Sequence, residues 1–557
     1  MTIRPLLPLA CAAWLLSLFL IAPAAQKIPS AAPATANPHL DFTLFTHSEN
    51  CVACHNNLMT PAGEDVSIGS TWRSTMMANS ARDPYWQAAV RRETIDHPTH
   101  AAAIQDECAA CHMPMSQRIT KAAGGTGEVF AQLPIASTDD SELHRLAADS
   151  ISCTVCHQMA PDRLGTRESF NANFVVKPIP PGGTRFIYGP YAIDAGRKTI
   201  MRSVTGYEQA EAPHLSESTL CASCHTLITE AYGPNGEVIG TLPEQMNYQE
   251  WQHSAFNAEQ RSCQSCHMPK ATGPVRNASV LGDERDTLSR HLFVGGNAFM
   301  VRMLSRYRAE LGVSALPAEL EATARATIRQ LQEETARLTV STPRFEGGSL
   351  MFEVDVRNLS GHKFPTGYPA RRTWLHVSVR DGRGTTVFES GAIDAAGAIA
   401  GNAADADPLA FEPHYESITR ADEVQIYEPI LGTPAGVPTT GLLSATQYLK
   451  DNRLLPRGFD KTTAAAEVGV YGGAARDADF ASEGDRVQYA VTVADAGQFT
   501  VNVELRYQPI GYRWAHNLDA YDAAEPKRFT SYYGAMSSSA SVAVATASAR
   551  FSGSRQR

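Results

Sequence analysis

Ten of the eleven cysteines in this 557-residue chain form five C-x-x-C pairs, and a histidine follows each pair directly. The pairs lie at 51–55, 108–112, 153–157, 221–225 and 263–267, called here motif 1 to motif 5. Thiols in such pairs can form disulfides, bind zinc or attach covalently to haem. The cysteine spacing alone leaves these three chemistries open.

The histidine distinguishes between them. The chain has only 17 histidines, so their placement after all five pairs is not a matter of composition. Neither disulfides nor zinc sites need a histidine there. Covalent c-type haem does, because the two thiols bind the porphyrin and the adjacent imidazole binds its iron.

The sequence therefore predicts five covalently attached haem c groups. The predicted attachment points are Cys51, Cys54, Cys108, Cys111, Cys153, Cys156, Cys221, Cys224, Cys263 and Cys266. The predicted proximal iron ligands are His55, His112, His157, His225 and His267. No catalytic residue is predicted.

Each predicted iron has a second axial position. A second histidine or a methionine there gives a six-coordinate haem suited to electron transfer, whereas an open position permits substrate binding. The candidate distal ligands are His47, His214, His253, His291, His362 and Met77. For each histidine the alternative is an ordinary solvated or structural role, and adjacent methionines such as Met76 and Met77 are usually core filler.

His362 lies in the loop Gly361-His-Lys-Phe-Pro-Thr-Gly, directly after a predicted strand. Because glycine and proline restrict such a loop to tight turns, it could hold the imidazole out across a domain boundary. The alternative is an ordinary turn with a histidine facing solvent.

The chain begins with a predicted targeting segment. Residues 1–25 have a basic start, an apolar centre and a small-residue end, which is typical of a secretory signal peptide. An uncleaved membrane anchor is the alternative, because this run is nearly long enough to span a bilayer. We expect a periplasmic or extracellular protein with no membrane span after signal removal.

The remaining chain divides by its pattern. Residues 26–40 predict an Ala/Pro-rich linker, 41–300 a pentahaem domain of short helices and loops, and 301–340 a helical connector. Period-two alternation within 341–535 predicts a β-sandwich-like domain, and 536–557 a polar tail. The expected fold is a mostly α and loop multihaem cytochrome domain followed by an all-β sandwich-like domain.

The motifs resemble those of the multihaem cytochrome c superfamily, which includes pentahaem nitrite reductase, octahaem hydroxylamine oxidoreductase and tetrahaem carriers of nitrifiers. The resemblance lies in Cys108-Ala-Ala-Cys-His-Met-Pro, Cys153-Thr-Val-Cys-His-Gln, Cys221-Ala-Ser-Cys-His-Thr-Leu and Cys263-Gln-Ser-Cys-His-Met-Pro. That family tends to show W-x-x-S-x-H with a ligating histidine. This chain has Met77 and Phe256 at the corresponding positions.

The Gly361–Gly367 loop and the segment 451–459 resemble exported multihaem cytochromes with an appended β-domain. The resemblance favours His362 as an iron ligand. It does not imply nitrite reduction, because the catalytic haem of that family is attached through C-x-x-C-K, which is absent from this sequence.

Composition agrees with a protein partner. Lys plus Arg number 48 and Asp plus Glu 58, a net charge of −10 with no basic run, which argues against a nucleic-acid partner. We expect single-electron transfer between redox partner proteins. The alternatives are an oxidoreductase acting on a small nitrogen or sulfur compound at a five-coordinate haem, and a haem-carrying interaction subunit of a surface complex or filament.

Overall fold

The computed structural model describes residues 40–179 and 182–553. The predicted signal peptide and nearly all of the predicted linker lie outside these residues. From Asp41 onwards the described chain forms one compact unit. No helix in the described ranges combines the length and apolar character that a membrane crossing requires.

The first part of the unit consists mainly of short helices joined by loops. They are α1 (Glu49–Val52), α2 (Ile68–Trp72), α3 (Pro84–Asp96), α4 (Ala101–His112), α5 (Pro114–Ala122), α6 (Glu142–Ala148), α7 (Cys153–Cys156), α8 (Ala195–Thr205), α9 (Ser218–Ala222), α10 (Asn247–Gln252), α11 (Ala255–Ala258), α12 (Cys263–His267), α13 (Ala298–Arg306) and α14 (Pro317–Gln330). Local signals define several ends: Asp83 accepts hydrogen bonds from the first-turn amides of α3, where Pro84 also favours helix initiation.

Three two-stranded sheets interrupt the helices, and the sequence did not predict them. They pair β1 (Arg185–Gly189) with β2 (Tyr207–Glu211), β3 (Thr226–Tyr232) with β4 (Val238–Met246), and β5 (Val275–Arg276) with β6 (Glu284–Arg285). The β1–β2 pair is parallel and the other two are antiparallel. The strands β1, β2, β5 and β6 span only two to five residues and carry little periodicity, so tertiary contacts select them.

The rest of the unit is rich in strands. These are β7 (Ala336–Val340), β8 (Arg344–Glu346), β9 (Ser349–Asn358), β10 (Arg372–Asp381), β11 (Thr386–Ser390), β12 (Ser417–Ile418), β13 (Ile426–Tyr427), β14 (Pro429–Gly432), β15 (Pro438–Thr439), β16 (Gln447–Asp451), β17 (Gly484–Thr492), β18 (Gln498–Gln508) and β19 (Val542–Ser552). Three helices accompany them: α15 (Ala403–Ala406), α16 (Tyr512–His516) and α17 (Ala524–Gly534).

Two five-stranded sheets form the sandwich. One has the order β11-β10-β18-β19 with β13 beside β10, and the other β12-β17-β9-β7 with β8 beside β9. Alternate side chains of both sheets, including Phe352, Val377, Tyr489 and Val503, meet in one core. The predicted order of fold classes, helices and loops followed by a β-rich part, is confirmed.

The C-terminal end differs from the sequence prediction. Val542–Ser552, assigned there to a polar tail, forms β19 and pairs antiparallel with β18. Its small alternating residues give a weak strand signal, and the exposed edge of β18 supplies the pairing. The sequence prediction also missed the helices α15, α16 and α17 within the predicted all-β region.

The helical and β-rich parts share a hydrophobic core. Tyr85 of α3 and Leu320 of α14 belong to the same buried cluster as Trp514 and Phe529 from α16 and α17. The predicted connector is therefore packed on both sides, and helix α3 of the helical part contacts the β-rich part directly.

The sandwich core supplies a test of this packing. Phe352 is 1% exposed and stacks on Tyr489 with ring centres 5.1 Å apart. Phe352→Ala is expected to lower the free energy of unfolding by about 3–5 kcal/mol, because it leaves a cavity. The measurement is the urea unfolding midpoint by far-ultraviolet circular dichroism. Phe186→Ala, at a site 49% exposed, is the control; equal losses in the two variants would contradict the core assignment.

Candidate haem-binding site

Each C-x-x-C-H motif folds as a helical turn. Motif 2 forms the end of α4, and motif 5 forms α12. Helix α7 contains the two cysteines of motif 3, and α1 and α9 contain the first cysteines of motifs 1 and 4. The amides of His55, His157 and His225 each donate to the carbonyl of the first cysteine of their motif at 3.0 Å. Residues i, i+3 and i+4 of a helical turn share one face, so both thiols and the imidazole project to the same side.

All ten motif cysteines are free thiols and partly buried. Three pairs of thiols from different motifs lie close together: Cys51 and Cys153, Cys111 and Cys224, and Cys221 and Cys263. Disulfides formed between these three pairs of thiols would leave Cys54, Cys108, Cys156 and Cys266 unpaired. The arrangement thus fits five attachment sites better than a disulfide framework.

Backbone carbonyls orient four of the five motif histidines. Nδ1 of His55 donates to Asn277 O at 2.7 Å, and Nδ1 of His157 donates to Tyr188 O at 2.7 Å. His112 and His267 donate in the same way to the carbonyls of Ser80 and Val294. A proton fixed on Nδ1 leaves the Nε2 lone pair free for a metal.

Burial keeps these imidazoles neutral. Desolvation lowers the pKa of His112 and of His225 to about 4, and it lowers the pKa values of His55, His157 and His267. A neutral imidazole is the form that binds a metal. The orientation of four of these rings and the neutral state of all five therefore match the role of a proximal iron ligand.

Two motif histidines face a second imidazole. The rings of His157 and His291 are 6.3 Å apart between centres and 17° from parallel. Those of His267 and His362 are also 6.3 Å apart, at 14°. In contrast, His100 stacks directly on Tyr232 with ring centres 3.8 Å apart.

A separation of 6.3 Å between ring centres is compatible with a metal ion between the two imidazoles. A metal–nitrogen bond of about 2 Å on each side, with each ring centre about 1 Å beyond its nitrogen, gives a separation of about 6 Å. Carbonyls also accept from the second ring of each pair, since Nδ1 of His291 donates to Ser289 O and Nδ1 of His362 to Lys363 O. The residues at motifs 3 and 5 therefore fit six-coordinate haem.

The other predicted distal ligands do not form such pairs among the described residues. Nε2 of His47 lies 2.9 Å from a carboxylate oxygen of Glu142, and Nε2 of buried His214 lies 2.8 Å from Met159 O. Nδ1 of His253 donates to Gln249 O at 2.8 Å, and its ring lies beside Phe459. Met77 is partly buried. Their ligation stays a prediction.

Contacts between motifs make the array continuous. Motifs 1 and 3 meet through Cys51 and Cys153, motifs 2 and 4 through Cys111 and Cys224, and motifs 4 and 5 through Cys221 and Cys263. The segments beside motifs 3 and 4 also meet, because Nε2 of His214 lies 2.8 Å from Met159 O. Motif 4 therefore lies near motifs 2, 3 and 5, and motif 3 lies near motif 1.

A second cluster of ligand-type side chains lies in the β-rich part. The ligand atoms of His414, Asp477 and Asp485 are within 4.8 Å of one another and buried. Side-chain amides of Gln425 and Asn452 both donate to Nδ1 of His414, so Nε2 carries the ring proton and donates to Asp477 at 2.9 Å. Since that proton occupies the metal-binding nitrogen, the cluster is a hydrogen-bonded network, and no sequence motif predicted it.

Comparisons with known proteins assign no family to the chain. No family model matches the chain, and no curated protein matches it. Among solved structures, the chain is similar to a penta-heme cytochrome c552 from Thermochromatium tepidum, with a TM-score of 0.49 and 15% sequence identity. The match covers 91% of this chain and 100% of the other.

Proposed function

We propose that this chain is an exported pentahaem c-type cytochrome that transfers single electrons between redox partner proteins. The proposal rests on one observation: the motif histidines of motifs 3 and 5 each face a second imidazole, with room for a metal ion between the two rings. Two axial imidazoles leave no open position for a substrate, which suits electron transfer.

In this proposal each part of the chain has a defined task. The two cysteines of each motif hold one haem, the motif histidine binds its iron, and His291 and His362 complete the coordination at motifs 3 and 5. Haem iron supplies reversible one-electron chemistry. The carbonyls of Asn277, Tyr188 and Val294 each hold one motif imidazole, those of motifs 1, 3 and 5, in a fixed orientation.

The proposed path follows the contacts between motifs. Electrons would pass between neighbouring motifs, from motif 1 through motif 3 to motif 4 and from there to motifs 2 and 5. The partners are expected to be redox proteins in the periplasm or outside the cell, in keeping with the predicted signal peptide. A haem-carrying interaction subunit of a surface complex or filament stays an alternative.

One observation favours a second function. His225 is the one motif histidine whose Nδ1 has no carbonyl acceptor among the described residues, whereas the other four each have one. Besides burial, the neighbouring His267 imidazole and the Arg371 guanidinium lower the pKa of His225. A five-coordinate haem at motif 4 beside this cation would suit an oxidoreductase acting on a small nitrogen or sulfur compound.

Spectroscopy of the purified holoprotein separates the two. The carrier is expected to show only low-spin haem in its paramagnetic resonance spectrum and to leave added carbon monoxide unbound after reduction. Reductive titration should take up about five electrons per molecule, one for each motif. A high-spin centre that binds carbon monoxide would contradict the carrier and support the enzyme.

A further inference from the structure

We propose that Glu250 is a positioning residue for His362, acting through a buried ion network that binds the 361–367 loop to helix α10. The inference rests on the proposed function, because it assumes that His362 is the second axial ligand at motif 5. It adds a group with no metal-binding role, located on the short helix between motifs 4 and 5.

Glu250 holds the loop directly. Its Oε2 accepts a hydrogen bond from the backbone amide of Lys363 at 3.2 Å and another from the hydroxyl of Thr366 at 2.5 Å. The Lys363 carbonyl in turn accepts from Nδ1 of His362 at 2.8 Å. One carboxylate therefore fixes the peptide unit adjoining the one that sets the direction of the His362 ring.

Three further charged side chains complete the network. Nη1 of Arg453 lies 2.8 Å from Glu250 Oε1, and Nη2 lies 2.7 Å from Asp451 Oδ2. Asp451 also accepts from Nζ of Lys363 at 2.8 Å. The two cations and two anions balance, so replacing Glu250 by a neutral residue leaves one excess positive charge.

All four charged side chains of this network are buried. The side chains of Glu250 and Lys363 are 0% exposed, and those of Asp451 and Arg453 are 2% and 7% exposed. Removing four charges from water is costly, and apolar residues of similar size could stabilise the site as well. A buried network at this position is therefore best explained by the specific geometry that it imposes on the loop.

The remaining contacts of the loop agree with a fixed imidazole. The Asn358 side-chain amide and the Ser360 hydroxyl both donate to the carbonyl of His362, at 2.8 and 3.0 Å. Phe364 exchanges two backbone hydrogen bonds of 2.9 Å with Leu454. These contacts anchor the loop within the β-rich part, whereas Glu250 joins it to the part that carries motif 5.

The test compares Glu250→Gln with His362→Ala and with Asp405→Asn, all as holoproteins. Asp405→Asn disrupts a different buried ion pair, the one with Arg372, whose side chains are each 4% exposed. Glu250→Gln is expected to yield up to about one high-spin, carbon monoxide-binding haem per molecule. Asp405→Asn should stay low-spin even where its melting temperature falls as far, and added imidazole should restore low-spin haem in His362→Ala.

The outcomes separate the two proposals. If His362→Ala becomes high-spin while Glu250→Gln remains wholly low-spin, Glu250 does not position the ligand and the inference fails. If His362→Ala itself stays low-spin, His362 is not the second ligand at motif 5, and the inference about Glu250 fails as well. Should Glu250→Gln not fold, Thr366→Ala removes a single hydrogen bond to Glu250 and is expected to speed cyanide binding; an unchanged rate would overturn the inference.

Discussion

The mature holoprotein, produced in a host that attaches haem covalently, is expected to weigh about 3 kDa more than its polypeptide, or about 0.6 kDa for each motif. The excess should survive denaturation, because thioether bonds are covalent. Intact-mass spectrometry under denaturing conditions measures it directly. Zinc would be lost under these conditions, and each disulfide would lower the mass by only about 2 Da.

Single-motif variants provide the matched control. Replacing Cys263 and Cys266 together with alanine should remove about 0.6 kDa, and the same double change at Cys51 and Cys54 should remove an equal mass. A denatured mass equal to that of the amino acids alone would contradict haem at every motif. A value with fewer increments would identify the motifs that stay empty.

His291→Met is expected to raise the reduction potential of one haem by on the order of 0.1 V, with the other centres nearly unchanged. The physical reason is that a thioether donates less electron density to iron than an imidazole does, which stabilises the reduced state. Methionine is long and flexible enough to reach from the same backbone position. A potentiometric titration followed by optical spectroscopy measures the shift.

The control for this prediction is His144→Gln. His144 is also a buried histidine in the helical part, but its Nε2 lies 3.2 Å from the Ser137 hydroxyl, and no motif histidine faces it. All haem potentials should stay close to those of the unsubstituted protein. Failure of any centre to shift in His291→Met would remove the ligand assignment at motif 3.

Sequence patterns predicted the strongly periodic elements. The alternating runs that contain Phe352, Trp374, Val487 and Val503 all lie in strands of the sandwich, and α14 begins at Pro317 as the sequence suggests. Weakly patterned elements escaped prediction: the short strands between motifs 3 and 5, the helices after β18, and β19. Their conformation depends on neighbours distant in the sequence, which periodicity does not record.

Local sequence determined the attachment chemistry. Two thiols and an imidazole at i, i+3 and i+4 share a helical face whatever surrounds them, so each motif can be identified from five consecutive residues. Tertiary structure alone decided what lies opposite each imidazole. His291 faces His157 from 134 positions away and His362 faces His267 across 95, and no local pattern encodes contacts at such separations. The same holds for the carbonyl acceptors and for the charges around Glu250, because backbone groups and buried ion pairs acquire their roles only when the chain has folded around them.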